Sequence, residues 1–295
     1  YNLLSSILRA IGNSYIPLYA LIIASVLNVI LDIFFVKTLN MGVRGAAFAT
    51  VIAQGFSALF LLIYIAKYCP LLHINIRKFT INWTILLELL TTGFSMAMML
   101  VLTNIGTVIL QGSINSFGTS TITGHTAARK FHDLCIPPLG TICTFSATFV
   151  SQNYGARNKK RVLKSYFVCL FYSFFASVLL GVLLFVFGHQ FLSLFATDAA
   201  VIDAGMQRIR IMAFSYAVSV FMDCTTAASR GIGKTIVPTI IILLGSCAFR
   251  IIWIYTIFAW IHTIPSLYLL YVFSWLITSA AEIIYFIISY RKLKC

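Results

Sequence analysis

The sequence predicts an all-α protein, a polytopic membrane helix bundle with eight full transmembrane helices. Of its 295 residues, 60% are hydrophobic and only 9% are charged, whereas a soluble globular domain carries roughly 25% charged residues. The hydrophobic residues are also gathered into long runs, and each run approaches or exceeds the roughly 20 residues that a helix needs to cross a bilayer. Composition and run length together exclude a soluble fold.

The apolar runs place the spans in chain order after a short first segment. Residues 1–12 have the pattern of the tail of a membrane helix and are too short to cross a bilayer. Full spans follow at 15–36, 45–66, 86–111, 122–151, 162–187, 204–228, 237–260 and 268–289. The fourth span contains Pro137 and Pro138, which should bend or break it near mid-length. Broken membrane helices are tolerated where they line a cavity, so this bend is a candidate for binding or gating, with an ordinary proline kink as the alternative.

A short turn pattern occurs twice, at an offset of 238 − 17 = 221 residues. RAIGNSYIP, with Arg9, Gly12 and Pro17, returns as RGIGKTIVP, with Arg230, Gly233 and Pro238. In each copy glycine permits a tight turn, arginine suits the headgroup region and proline suits the first turn of the next helix. The repeat predicts two homologous membrane bundles, an arrangement typical of secondary transporters.

The distribution of basic residues predicts the orientation of the chain. The net charge is +14, but assigning alternate loops to the two sides gathers most of the 21 basic residues on one side, which argues for the positive-inside rule and against nucleic-acid binding. Fourteen fall on that side: Arg9, Lys67, Arg77, Lys78, Arg157, Lys159, Lys160, Arg161, Lys164, Arg230, Lys234, Arg291, Lys292 and Lys294. The opposite loops hold Lys37 and Arg44, with Arg208 and Arg210 at the foot of a helix. The C-terminus is therefore expected in the cytoplasm.

Charged residues inside the spans are the first candidates for function, because a charge in lipid costs a few kcal/mol. Asp223 lies seven residues before Arg230 within a predicted span, where a carboxylate could bind Na⁺ or exchange a proton. The alternative is a structural acid that pairs with an arginine or is capped by Thr225 and Thr226. Arg250 and Glu282 are two further buried charges whose partners the sequence does not identify.

The span with the double proline carries the densest polar cluster. His125, Arg129, His132 and Asp133 follow i, i+4, i+7, i+8 spacing and share one helix face, with Lys130 beside it. The face could form a proton relay, because histidine titrates near neutral pH. It could equally contain a structural Arg129–Asp133 ion pair.

A stripe of amides follows the preceding span. Asn104, Gln111 and Asn115 recur at i, i+7, i+11. Such amides either line a substrate chamber or hydrogen-bond to neighbouring helices.

The segment SQNYGARNKKR at 151–161 resembles a loop of the multidrug and toxic compound extrusion (MATE) transporters, with the family's pattern at Gln152, Asn153, Gly155, Ala156 and Arg161. The two R-x-x-G-x-x-x-x-P turns and GVRGAAFAT at 42–50 are also similar to that family. The resemblance implies a monomer that exports organic, often cationic compounds across the bacterial inner membrane in exchange for Na⁺ or H⁺. It also places Asp223 where related transporters often carry an acid.

The family's plan has twelve helices in two lobes. Laid on it, 1–66 is a remnant of the N-terminal lobe (the end of helix four, then helices five and six), 67–85 is a cytoplasmic linker and 86–295 is the six-helix C-terminal lobe. The linker has the composition of an amphipathic segment that lies on the membrane surface. The chain lacks an initiator methionine and begins partway through a helix, which suggests a fragment without most of the first lobe.

Two alternatives to drug export are weighed. A lipid-linked oligosaccharide flippase of a related superfamily would need a strongly cationic cavity, and Arg129, Lys130 and Arg250 leave that possibility open. The discriminating observation is whether these cations face one cavity or are neutralised locally. An enzyme finds no support, because HExxH, GxSxG and phosphate-loop motifs are absent. Transport would then use an ion gradient and no cofactor, and the seven scattered cysteines predict neither a disulfide nor a metal site.

Overall fold

The computed structural model describes residues 1–72 and 80–293, and within these ranges all regular structure is helical. The predicted fold class is confirmed. Among the described residues, eight helices are long and apolar enough to cross a membrane, and each matches one predicted span. Of the predicted linker, residues 73–79 with Arg77 and Lys78 lie outside the described residues, as does Lys294, so the surface-lying segment stays a prediction. The chain divides into two compact units, Tyr1–Asn82 and Trp83–Cys295.

The first unit contains three helices. These are α1 (Asn2–Ala10), α2 (Tyr15–Asp32), which continues as a π-helix over Ile33–Thr38, and α3 (Gly42–Tyr68). The buried positions of α3 recur every four residues and are small except for the last: Gly45, Ala49, Ala53, Ser57 and Leu61. Small residues let two membrane helices approach closely, so α3 packs against α2 along this stripe.

The second unit contains six spans. These are α4 (Trp83–Asn115), α5 (Thr119–Gly155), α6 (Lys159–Ser193), α7 (Ala199–Gly231), the span Ile236–Phe258 and α10 (Ile264–Arg291). The span Ile236–Phe258 alternates α8 (Ile236–Ile242), a π-helix at Leu243–Ala248, α9 (Phe249–Trp253) and a π-helix at Ile254–Phe258. Helix α7 is the most buried span and packs against α5, α6 and α10.

Of the two outcomes predicted for the double proline of the fourth span, the break is wrong and the bend stays a prediction. Helix α5 runs from Thr119 to Gly155 through Pro137 and Pro138 without interruption. Each proline removes one N–H donor, but the bonds on either side continue the helix, and the Thr141 hydroxyl donates to the carbonyl of Pro137 at 2.9 Å.

Glycines allow the helices of the second unit to meet backbone to backbone. A Cβ at Gly124 of α5 would collide with the carbonyl oxygen of Val201 on α7, and a Cβ at Gly181 of α6 with that of Ala213. These contacts place α5 and α6 directly against α7. Polar side chains of α5 and α7 are therefore close enough to bond across the interface.

The two copies of the repeated turn share one geometry. Gly12 and Gly233 both have positive φ, at +91° and +78°. Their amides donate to the carbonyls of Arg9 and Arg230 at 3.0 and 2.9 Å. Positive φ at this position is the usual way to end a helix, and glycine adopts it without strain.

The repeat extends beyond the turns. The π-helices Ile33–Thr38 and Ile254–Phe258 begin 254 − 33 = 221 residues apart. Two segments thus share helix, turn, π-bulged helix and a final long helix. We call α1–α3 the first copy, and the C-terminal end of α7 with the span Ile236–Phe258 and α10 the second copy.

Candidate functional site

A cavity of about 360 Å³ lies inside the second unit. It is lined by α4, α5, α7, the span Ile236–Phe258 and α10. The structure brings seven of the nine predicted coupling and chamber residues to it: Asn104, Gln111, His125, Arg129, His132, Asp133 and Asp223. Asn115 and Lys130 do not line it.

The amides on α4 bond mainly within their own helix. Gln111 Nε2 donates to Asn115 Oδ1 at 3.1 Å, and Asn104 Nδ2 donates to the carbonyl of Leu100 at 2.8 Å. Asn115 therefore contacts the cavity only through Gln111. Lys130 is exposed outside the cavity.

A buried polar cluster joins α5, α7 and α10. His125 is 3% exposed, and its Nδ1 lies 3.0 Å from the hydroxyl of Tyr268. Arg208 is 5% exposed and places Nη1 2.9 Å from His125 Nε2 and 3.2 Å from the carbonyl of His125. Because arginine can only donate, the imidazole accepts this bond.

Arg208 is a cavity residue that the sequence analysis misplaced at the outer foot of a helix. In the structure it is buried and points from α7 towards α5. The available clue was the i, i+4, i+8 stripe of Arg208, Met212 and Tyr216, which faces one side of α7. Which helix meets that side is decided by packing at Gly124 and Gly181.

The rest of the α5 face is more open. His132 Nδ1 lies 2.7 Å from the hydroxyl of Tyr216. The predicted Arg129–Asp133 pair has its atoms 4.0 Å apart, with side chains 44% and 56% exposed. An exposed pair at this distance contributes about 0–1 kcal/mol, so neither residue is locked.

Asp223 extends into the cavity from α7. Of the two suggested caps, Thr225 is occupied elsewhere: its hydroxyl donates to the carbonyl of Phe221 at 2.6 Å and meets the Tyr166 hydroxyl at 2.9 Å. Its neighbouring cation is Arg230. In the part of the chain that the structure describes, no cation lies within 4.0 Å of its carboxylate.

Arg230 differs from the expectation of a headgroup residue. Its counterpart Arg9 is exposed, but Arg230 is partly buried, with Nη2 3.0 Å from the sulfur of Met99 and a buried Nε. Both Asp223 and Glu282 attract it electrostatically. Glu282 is 0% exposed, and the groups that act on its carboxylate are Arg230 and the Thr226 hydroxyl. The charge that compensates Glu282 is therefore Arg230.

Arg250 has a different environment. It is 8% exposed on α9, lines the cavity and donates from Nε to the Ser274 hydroxyl at 3.2 Å. Its guanidinium lies over the ring of Tyr271, 4.4 Å from the centroid. Ser274 in turn donates to the carbonyl of Gly245 at 2.8 Å.

The predicted loop motif after α5 has a structural role in the described contacts. Gln152 and Gly155 lie in the last turn of α5, and Asn153 donates to Ser165 of α6 at 3.1 Å. Asn158 caps α6 by accepting from the amide of Arg161 at 3.1 Å.

Lys159 ties this loop to the end of α10. Its Nζ donates to the carbonyls of Arg291 and Leu293 at 3.3 and 2.9 Å. The Tyr290 hydroxyl donates back to the carbonyl of Lys159 at 3.2 Å. The loop therefore joins α5, α6 and α10.

Within the described residues, eight helices that are long and apolar enough to cross a membrane and a polar cavity among those of the second unit define a multi-pass membrane protein. The chain belongs to the MatE family, because the family's model matches residues 94–256, more than half of its length. Since the family consists of transporters, the prediction that the chain is not an enzyme is confirmed.

Curated relatives are bacterial. The chain is 27% identical over 216 residues to the probable multidrug resistance protein YpnP of Bacillus subtilis, covering 73% of this chain and 48% of that protein. It is 24% identical over 245 residues to the multidrug export protein MepA of Staphylococcus saprophyticus, covering 80% and 53%. The chain thus spans about half the length of the curated relatives it matches.

Solved structures share the fold. A MATE protein crystallised in the straight conformation superposes with a TM-score of 0.91 at 20% identity, over 98% of this chain and 66% of that one. A MOP superfamily transporter from Pyrococcus furiosus gives 0.91 at 21% identity over 98% and 66%. At these identities the likeness concerns the fold alone.

Proposed function

We propose that this chain is part of a secondary active transporter that exports organic, cationic drugs or toxins in exchange for Na⁺ or H⁺. The relatives named above are multidrug resistance and export proteins, which supports drug or toxin export. The cavity supports a small organic substrate, because polar residues on four of its five helices face about 360 Å³ of space.

The observation that carries the proposal is the position of Asp223. Its carboxylate faces the cavity, and within the described residues no cation lies within 4.0 Å of it. A carboxylate at membrane depth without a close partner is suited to take up Na⁺ or a proton. Arg230 attracts the carboxylate electrostatically but does not lie within 4.0 Å of it.

Cation entry would be coupled to export because the cation binds the two conformational states of the transporter with different affinities. A cation that binds Asp223 better in the outward-facing state shifts the equilibrium towards that state, from which the substrate leaves. Alternating access of two lobes around a midplane site is the general form of such transport. His125, His132 and Asp133 are the next candidates for the coupling path.

A flippase is the weaker proposal. Of the three cations weighed for it, Arg129 and Arg250 line the cavity and Lys130 does not. Arg129 has Asp133 at 4.0 Å, and Asp223 adds a second acid. Arg208 is a third arginine of this cavity, but a pyrophosphate group would also meet the two carboxylates, so the mixed charge favours the exporter.

The same proposal includes the chain's location, topology and partners. It lies in the bacterial plasma membrane as a monomer with the C-terminus in the cytoplasm, and residues 1–66 belong to an N-terminal lobe. Its partners are the bilayer and small organic substrates, without nucleic acid.

Ethidium efflux tests the proposal. The gene that encodes this chain is expressed in a bacterium without its own pumps, and dye export is recorded for wild type, Asp223→Asn and Asp203→Asn. Asp203 is an exposed acid of the same helix that does not line the cavity, so it is the matched control.

We expect Asp223→Asn to reduce export about tenfold or more at equal protein level, because a neutral amide cannot exchange a proton or compensate Na⁺. Asp203→Asn should export like wild type. Export that survives Asp223→Asn would remove this residue from coupling, and a wild type without dye export would contradict the exporter.

A further inference from the structure

Arg250 is a buried cation without an acid beside it. In the part of the chain that the structure describes, no carboxylate lies within 4.0 Å of its guanidinium. The electrostatic neighbours of Arg250 are Tyr271 and Cys247, and no acid is among them. A charged arginine within the membrane costs free energy, so its presence at a cavity indicates a function.

The side chain is held in one orientation. Ser274 accepts from Nε, and the Tyr271 ring covers one face of the guanidinium. Among the described residues, Nε is the guanidinium nitrogen that has a hydrogen bond, to Ser274, and neither Nη makes one; Arg250 itself lines the cavity. The edge that remains open is the two-nitrogen fork that matches a carboxylate.

This arrangement is specific to the second copy. At the offset of 221 residues, Arg250, Tyr271 and Ser274 correspond to Val29, Thr50 and Ala53 in the first copy. The cation and both of its supports are absent there together. A residue that only linked two helices would not need this set, because the first copy packs the same helices without it.

We propose that Arg250 binds a carboxylate of an organic substrate, so that the cavity accepts zwitterions whose cationic end meets Asp223 or Asp133. This inference rests on the proposed export of organic cations and adds an anionic group to its substrate class. The two Nη groups would form paired hydrogen bonds with the carboxylate oxygens, while Ser274 and Tyr271 keep the guanidinium in place.

A matched pair of dyes tests this subsite. Rhodamine 110 carries a free carboxylate, and rhodamine 123 is its methyl ester with otherwise the same cationic ring system. Fluorescence anisotropy measures the affinity of each dye for the full chain in lipid nanodiscs, with empty nanodiscs as the blank. The variants are Arg250→Gln, Arg250→Lys and the control Lys130→Gln, which removes an exposed cation outside the cavity.

We expect Arg250→Gln to weaken rhodamine 110 about tenfold or more, because a charged hydrogen-bonded pair is lost, and to leave rhodamine 123 nearly unchanged. Arg250→Lys should give an intermediate loss for rhodamine 110, since it keeps the charge and loses the fork. Lys130→Gln should alter neither dye. Retained binding of rhodamine 123 also shows that each variant is folded.

Equal weakening of both dyes would assign Arg250 to helix packing and overturn the subsite. Unchanged rhodamine 110 binding in Arg250→Gln and Arg250→Lys would overturn it as well. In both cases, binding of rhodamine 123 by the wild type would still support the proposal that the cavity is a drug chamber. A wild type that binds neither dye would contradict the chamber and the subsite together.

Discussion

The two copies of the repeated segment share their backbone plan but differ in what they bury. Where the first copy buries Leu8 and Leu61, each 0% exposed, the second buries Ser229 and Glu282, also 0% exposed. The same turns, π-bulge and helix lengths thus accept an apolar or a charged interior. Helix ends and small residues specify the fold, and the side chains buried between the helices specify the use made of it.

The burial of the repeated arginine differs between the copies for the same reason. Asp223 and Glu282 of the second copy correspond to Asn2 and Leu61 of the first. Arg9 therefore has no acid in either position and stays exposed. Arg230 is attracted by both acids and is partly buried.

The largest expected effect comes from exchanging the buried side chains. Leu61→Glu should destabilise the first unit by about 3–5 kcal/mol, because it leaves an uncompensated charge among Leu8, Ala20 and Cys69. In the second copy, Asp223→Asn combined with Arg230→Met and Glu282→Leu removes all three interacting charges and should be neutral or stabilising, since replaced buried ion networks often are. Thermal unfolding in detergent measures both.

If both variants lost similar amounts of unfolding free energy, the interiors of the two copies would not differ in their tolerance of charge. That result would contradict the difference drawn between the copies.

A second test concerns helix spacing. Gly245 corresponds to Ala24 in the first copy, and a Cβ at Gly245 would collide with the Thr278 hydroxyl. Gly245→Ala should cost about 1–3 kcal/mol through overpacking, measured by thermal unfolding. Gly55→Ala, at a site with open space around the Cβ position, is the control and should not destabilise. An equally stable Gly245→Ala protein would contradict the closer approach of α10.

The smallest difference is expected at the turns. Gly12→Ala and Gly233→Ala should each cost about 1–2 kcal/mol, because an alanine at positive φ is strained in both copies alike. Gly93→Ala, which lies in α4 with an ordinary backbone and free space, should be tolerated. Unequal costs at Gly12 and Gly233, read from the same unfolding curves, would indicate that the two turns are not equivalent.

The sequence predicted the fold well because membrane spans are defined by composition. All eight spans were found, but most predicted spans ended within the observed helices: α5 runs over Thr119–Gly155 against 122–151. A span predicted from hydropathy ends at the first polar residues. The helix itself continues until a residue such as Gly12 or Gly233, with positive φ, ends it.

The site was predicted in part. Periodicity placed His125, His132 and Asp133 on one face, and that face does line the cavity. Periodicity does not show which side chains at the end of a cavity face it, so Asn115 was included although its neighbour Ile114 lines the cavity instead. Arg208 was missed because its burial depends on which helices meet at Gly124 and Gly181.

Water access to the cavity tests whether the polar interior of the second unit serves a ligand. With the seven native cysteines replaced, Gln111→Cys in the cavity and Leu179→Cys on the exposed apolar face of α6 are treated with a membrane-impermeant thiosulfonate. Thiolates form in water, so Gln111→Cys should react, rhodamine 123 should slow the reaction, and Leu179→Cys should stay unmodified. An unreactive Gln111→Cys, or one that rhodamine 123 does not protect, would show that this interior does not serve as a ligand chamber.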